Sequence, residues 1–128
     1  MTAPGVIERY AAAWQRSDLD TMFAIHDPDV VVHYGGASQF AGDHHGRDAL
    51  IALLTETGRR GGRTLVSVDA IYDLGGHGPV FVTATFDIDG ERVTVERCLR
   101  YRVNVGMIVE VWLYDHQQHL VDQAWSQP

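Results

Sequence analysis

The sequence predicts an α+β domain, with helices first and a curling antiparallel sheet after them. Three observations carry this. Near the start, Val6, Ile7, Tyr10, Ala13 and Trp14 recur at three- and four-residue spacing, the period of an amphipathic helix. Further on, Val80, Val82, Ala84, Phe86 and Ile88 alternate with polar neighbours, the period of a half-buried strand. Between this run and the next lies Asp89-Gly90, a hairpin signal flanked by alternating residues.

The elements follow in order. Pro4 suits a first helical turn, with Thr2 or Ala3 as its cap, and the helix runs to about Arg16. Ser17 is read as the N-cap of a second helix, Asp18 to His26, with Leu19, Met22 and Phe23 inward. Asp27-Pro28-Asp29 stops it, because a residue before proline is pushed out of the helical region. Val30 to Tyr34, rich in β-branched residues, is a strand. Gly35 to Gly46 holds four glycines in twelve residues and reads as a loop with a short extended piece at Gln39 to Ala41. A third helix spans Arg47 to about Thr57, with Leu50, Leu53 and Leu54 on one stripe and Gly58 as C-cap. A strand from Thr64 to Tyr72 places Val66, Val68, Ala70 and Tyr72 on one parity. Gly75 to Pro79 is a turn before the strand Val80 to Ile88. A short terminal helix anchored by Leu120, Val121 and Trp125 closes the chain.

The stretch Glu91 to Asp115 reads as two long antiparallel strands joined near Asn104, Val105 and Gly106. In the first, Val93, Val95, Leu99, Tyr101 and Val103 share one parity, and Arg97 shares it with them. A charge aimed into an apolar interior is costly unless something pairs with it. The second strand places Val109, Val111 and Leu113 on one parity and ends that parity on Asp115. Arg97 and Asp115 are therefore expected to point into one space and to lie within direct or water-bridged reach, lining a pocket that Tyr10 borders.

The chain as a whole narrows the function. Its 128 residues suit one domain with a proper core, and 45% apolar with 21% charged residues is ordinary globular composition. A net charge of -7 argues against binding a phosphate backbone or an anionic membrane surface. One cysteine, Cys98, excludes an intrachain disulfide and fits a reducing cytosol. The start lacks the pattern of a signal peptide, and no apolar run reaches membrane-spanning length. A cytoplasmic protein is the expectation. The sequence also has no phosphate-binding glycine motif and no nucleophile elbow, and no cofactor is expected.

Three segments carry a resemblance: RYAAAWQRSDLDTMFAIHDPDVVVHY, FAGDHHGRDALIALL and GMIVEVWLYD. Together they resemble the nuclear-transport-factor-2-like superfamily, in particular its SnoaL-like and ketosteroid-isomerase-like branch. The resemblance implies a cone-shaped, curled antiparallel (mixed) sheet, with three N-terminal helices on its concave face around a pocket. Steroid isomerases of this superfamily bond a developing enolate through a helix-one tyrosine, matched here by Tyr10. Where they carry the general-base aspartate, this chain has Tyr34, and their second acid falls at Leu99 or, on an ungapped alignment, at Cys98. Limonene-epoxide-hydrolase relatives hold water between two aspartates beside an arginine. Arg97 and Asp115 are similar to two of those groups, and Leu99 replaces the third. SnoaL-like polyketide cyclases use an acid near the end of the last strand, where Asp115 is the nearest match.

The expected function is a cofactor-independent acid/base enzyme, a cyclase or isomerase acting on a small hydrophobic carbonyl or polyketide-like substrate. An epoxide hydrolase and a non-catalytic binding module of the same fold are the alternatives. Asp115, Tyr10, His44 and Arg97 are the catalytic candidates, and Trp14, Tyr34, Phe40, Leu99 and Leu113 are expected to line the substrate site. Asp115 has a second reading, as a strand-end aspartate capping the terminal helix through the backbone of Gln117 or Gln118. His44 and His45 lie in the loop entering helix three, either overhanging the pocket or solvated; His33 is expected to point away from it. His116 and His119 are three apart, but no third ligand stands at metal-binding spacing. Trp112 and Tyr114 mark the outer sheet face, which is expected to pair two copies as a homodimer.

Overall fold

Helices form where the apolar spacing begins. In the computed structural model, which describes residues 5–115 and 117–126, α1 spans Val6–Gln15 and buries Ile7, Tyr10, Ala11 and Ala13. The second helix, α2, is Leu19–Ala24. Its N-cap is Asp18 rather than Ser17, because the Asp18 carboxylate accepts from both the Thr21 N–H (3.2 Å) and the Thr21 hydroxyl (2.7 Å). Ser17 instead takes the left-handed turn between the helices, at φ 56°.

The first strand, β1, covers His26–Tyr34 and so takes in His26, which the helical reading had placed in α2. Gly42–His45 forms β2, just beyond the extended piece expected at Gln39 to Ala41, and pairs antiparallel with β1. The third helix, α3, runs Arg47–Gly61, straight through the expected cap at Gly58. Glu56 binds Arg59 (2.6 Å) and Arg60 (2.7 Å) along its last turns, and the left-handed cap is Gly62, at φ 58°.

Four long strands and a helix complete the chain: β3 (Thr64–Ile71), β4 (His77–Ile88), β5 (Glu91–Asn104), β6 (Met107–Asp115) and α4 (Gln118–Trp125). The six strands form one mixed sheet in the order β2-β1-β6-β5-β4-β3. Every neighbouring pair is antiparallel except β1 with β6. Asp89 and Gly90 make the β4–β5 turn with φ 51° and 81°, the twin positive values that a two-residue hairpin of this type requires.

Where the strand period fails, a register shift explains it. The β5–β6 ladder slips between Arg102 and Val103, so Ile108 lies opposite Val103 and is buried, while Val109 becomes the extra residue. The β3–β4 ladder slips twice, between Leu65 and Ser67 and between Val68 and Ala70. As a result Val66 and Tyr72 are exposed, and Leu65 and Val68 pack on the core instead.

The helices pack on the concave face of the sheet, over Val80, Val82, Phe86, Val95, Leu99, Tyr101, Val111 and Leu113. The last helix, α4, covers the base of this core with Val121 and Trp125, both fully buried. Trp125 sets its ring edge-on against Phe86, 5.0 Å between centroids. A side chain at Gly61 would overlap the Trp125 ring, so the glycine is what lets α3 and α4 approach. Among the described residues, no helix is long and apolar enough to cross a membrane.

Candidate functional site

Arg97 projects from the inward parity of β5, and its direct partner across the ladder is Asp115 on β6. Its Nε donates to Asp115 Oδ1 at 2.6 Å and its Nη2 to Oδ2 at 3.3 Å, a forked pair whose side chains are only 3% and 0% exposed. Nη2 also donates to the Tyr34 hydroxyl oxygen at 3.4 Å, and the indole N–H of Trp125 donates to the same oxygen at 2.9 Å. Burial opposes the guanidinium charge, but the Tyr34 and Asp115 oxygens outweigh it, and the net shift of Arg97 is upward. The arginine is held ionised and rigid.

This chain of contacts forms one wall of a cavity of about 40 Å³ between the helices and the sheet. Tyr10 and Trp14 of α1, Met22 of α2 and Leu50 and Leu54 of α3 line it from above. Tyr34, Arg97, Leu99, Tyr101, Val111 and Leu113 line it from the sheet, and His26 and Arg63 from the sides. Burial raises the Tyr10 pKa, with the neighbouring Tyr101 hydroxyl opposing, and raises that of Tyr101 well above its usual value. Both phenols therefore keep their protons and act as donors. His26 is fully buried, and its Nδ1 lies 2.8 Å from the Met22 carbonyl oxygen. A carbonyl only accepts, so Nδ1 carries the hydrogen and Nε2 keeps its lone pair. Burial brings its pKa down to about 4, so the ring is neutral at physiological pH.

A larger recess of about 460 Å³ lies beyond, between α1, α2, the middle of α3 and the start of β3. Trp14, Met22, Leu54 and Arg63 line both spaces and form the partition between them. Among the described residues, no aspartate or glutamate lines either one.

Of the residues expected at the site, Tyr10, Trp14, Tyr34, Arg97, Leu99 and Leu113 all line the inner cavity. Asp115 does not; its carboxylate lies behind Arg97 and is engaged by it. Nor does Asp115 cap α4 through its side chain. The Gln118 side chain instead accepts from the Asp115 backbone N–H at 3.0 Å. His44 is drawn away because its ring hydrogen bonds the Phe40 carbonyl at 2.7 Å. Phe40 turns from the cavity to pack edge-on against Trp125, with the Arg60 guanidinium 5.9 Å from its ring centre.

Leu99 rather than Cys98 faces the cavity, since Cys98 lies on the outer face between Phe81 and Tyr114. His33 is also on that face, bonded to Asp43 at 2.7 Å and Glu110 at 2.5 Å and stacked on Trp112. His116 lies outside the described residues, and among those described no group of three or more ligating side chains could hold a metal. His26, Arg63 and Tyr101 were missed as site residues. Tyr101 had the inward parity as its signal, whereas His26 read as a helix end and Arg63 fell between the third helix and the next strand, in neither reading.

Residues 7–111 match the family described as the SnoaL-like domain. The fold is similar to that of a Xanthomonas campestris protein of unknown function with a cystatin-like fold, with a TM-score of 0.86 and 24% identity over 95% of this chain and 96% of that one. A Mesorhizobium loti candidate SnoaL-like polyketide cyclase aligns with a TM-score of 0.73 and 19% identity, over 85% of this chain and 95% of that one. For a Pseudomonas putida candidate polyketide cyclase the values are 0.75 and 16%, over 94% and 98%. No protein of curated function matches the sequence.

Proposed function

The chain belongs to the SnoaL-like domain family, and from that premise we propose that it is an acid/base enzyme acting on an enolisable, hydrophobic carbonyl compound. The observation that carries the reading is the polar lining of the cavity. Among the described residues, Tyr10 and Tyr101 present neutral hydroxyls and Arg97 a fixed guanidinium, with one neutral imidazole, His26, beside them and no carboxylate. Donors arranged in a water-poor space favour an oxyanion over the ground-state carbonyl, because they are already oriented when the charge develops.

In this reading the His26 Nε2 lone pair takes a proton from the carbon next to the carbonyl. The electron pair moves into the C–C bond, and the oxygen becomes an enolate held by Tyr10, whose own oxygen accepts from the Tyr101 hydroxyl. The enolate carbon then attacks a second carbonyl of the same molecule, closing a ring; with a substrate whose C=C is conjugated to the enolate, the dienolate instead takes the proton at its far carbon, giving an isomer. His26 returns the proton in either case. Asp115 is a positioning residue that holds Arg97 in place. The candidate polyketide cyclases of the same fold are consistent with a cyclase of this kind.

Deuterium wash-in at the acidic C–H of 2-tetralone, followed by NMR, tests the proposal. The wild type should exceed buffer, and Tyr10→Phe should lower the rate roughly 10²-fold, the usual cost of one oxyanion donor. The base must be unprotonated, so the rate should hold level above pH 4 and fall as the pH drops through about 4. Exchange no faster than buffer at any pH would replace this with the second reading, a non-catalytic small-molecule-binding module. The inner cavity's volume of about 40 Å³ favours that alternative, since only a small part of a ligand could enter without side-chain movement.

A further inference from the structure

Arg63 differs from every other charged group at the site. Its Nη1 donates to the Thr57 hydroxyl at 3.0 Å and its Nη2 to the Leu54 carbonyl at 3.2 Å, both neutral acceptors. No carboxylate among the described residues lies within ion-pair reach of it. The other arginine of the cavity, Arg97, is neutralised by Asp115. Desolvation and the nearby charge of Arg97 pull the Arg63 pKa downward by more than the oxygens of Tyr34, Tyr10 and Asp115 raise it, which marks a cation short of compensation.

The fold also makes room for it. A Cβ at Gly58 would stand 3.2 Å from Nη2, so the glycine in the interior of α3 leaves space for the guanidinium to lie across the helix. A chain with a net charge of -7 thus keeps one cation without a carboxylate partner on the partition between two spaces that no acid among the described residues lines. Low-dielectric walls focus such a charge on whatever enters.

We propose that Arg63 is a docking residue for an organic anion. The ligand would be a hydrophobic molecule bearing a carboxylate or an ionised enol, its anionic group on Arg63 at the partition. Its apolar body would occupy the larger recess, against Leu19, Phe23 and Leu65. This names the ligand class of the cavity and rests on the reading that the cavity takes a small molecule; it does not require that the bound molecule react.

The test is calorimetric titration of 2-naphthoate and methyl 2-naphthoate into the wild type, Arg63→Gln and Arg63→Lys. The wild type should prefer the acid by at least roughly tenfold, the scale of one charge-assisted fork. Arg63→Gln should abolish that preference, leave ester binding unchanged and melt no lower than the wild type, because it removes an unpaired charge. Arg63→Lys should restore part of it. Absence of an acid preference in the wild type, including absence of binding by either compound, overturns the proposal, as does an equal loss of acid and ester in Arg63→Gln. An acid preference without tetralone exchange supports this site and counts only against the proton-transfer reading.

Discussion

Arg97 and Asp115 face each other across one rung of the β5–β6 ladder, both shut away from water. A buried pair of this kind stabilises little against an apolar pair of the same volume, yet breaking it leaves a charge with nowhere to go. Replacing Asp115 with Ala should therefore cost about 3–5 kcal/mol in urea unfolding. Arg97→Met combined with Asp115→Leu should recover most of that loss. A single variant as stable as the wild type would mean that Arg97 finds another counter-ion. Their shared face was legible beforehand because strand parity is strict, whereas their standing directly opposite depends on the one-residue slip at Val109. That Asp115 lies behind Arg97, rather than beside the cavity, was not legible. It depends on the reach of the arginine side chain, which the period does not encode.

Among the elements, α3 and α4 depend on one close approach, that of Gly61 to the Trp125 ring. Gly61→Ala should destabilise the protein by about 1–3 kcal/mol through overpacking, despite alanine's better helix propensity, and should change the tryptophan fluorescence of the folded state. Stability equal to or above the wild type's would show that α4 can slide without penalty. The same helix shows why boundaries were harder to read than elements. Gly58 and Gly62 are equivalent as letters, and only the Arg59 and Arg60 pairs with Glu56, together with the Arg63 guanidinium over Gly58, carry the helix past the first to end at the second. The bulge at Val109 hid in the same way, since a shifted period spells the same residues. His26 opened a strand while reading as a helix end, which removed from view the only imidazole among the described residues that lines the cavity.

For the molecule as a whole, the outer face of the sheet is the feature that its own side chains leave uncovered. Phe81 and Tyr114 are 40% and 55% exposed and flank Cys98 in one row, while Trp112 is half-covered by Arg100 at 5.2 Å and by His33. We propose that this face pairs two copies of the chain. Light scattering at micromolar concentration should then give twice the chain mass for the wild type and the chain mass for Tyr114→Arg. A monomeric wild type would leave the row without a partner of its own kind. The sheet's two ends differ from its face. An open sheet has two outer strands whose free N–H and C=O groups could recruit a stranger. Here one outer strand, β2, is four residues long and carries Asp43 and two histidines. The other, β3, slips register twice, so its free groups do not form the straight, evenly spaced row that an incoming strand needs. The kinks that spoil the reading of β3 from sequence also keep the folded protein from growing into fibres edge to edge.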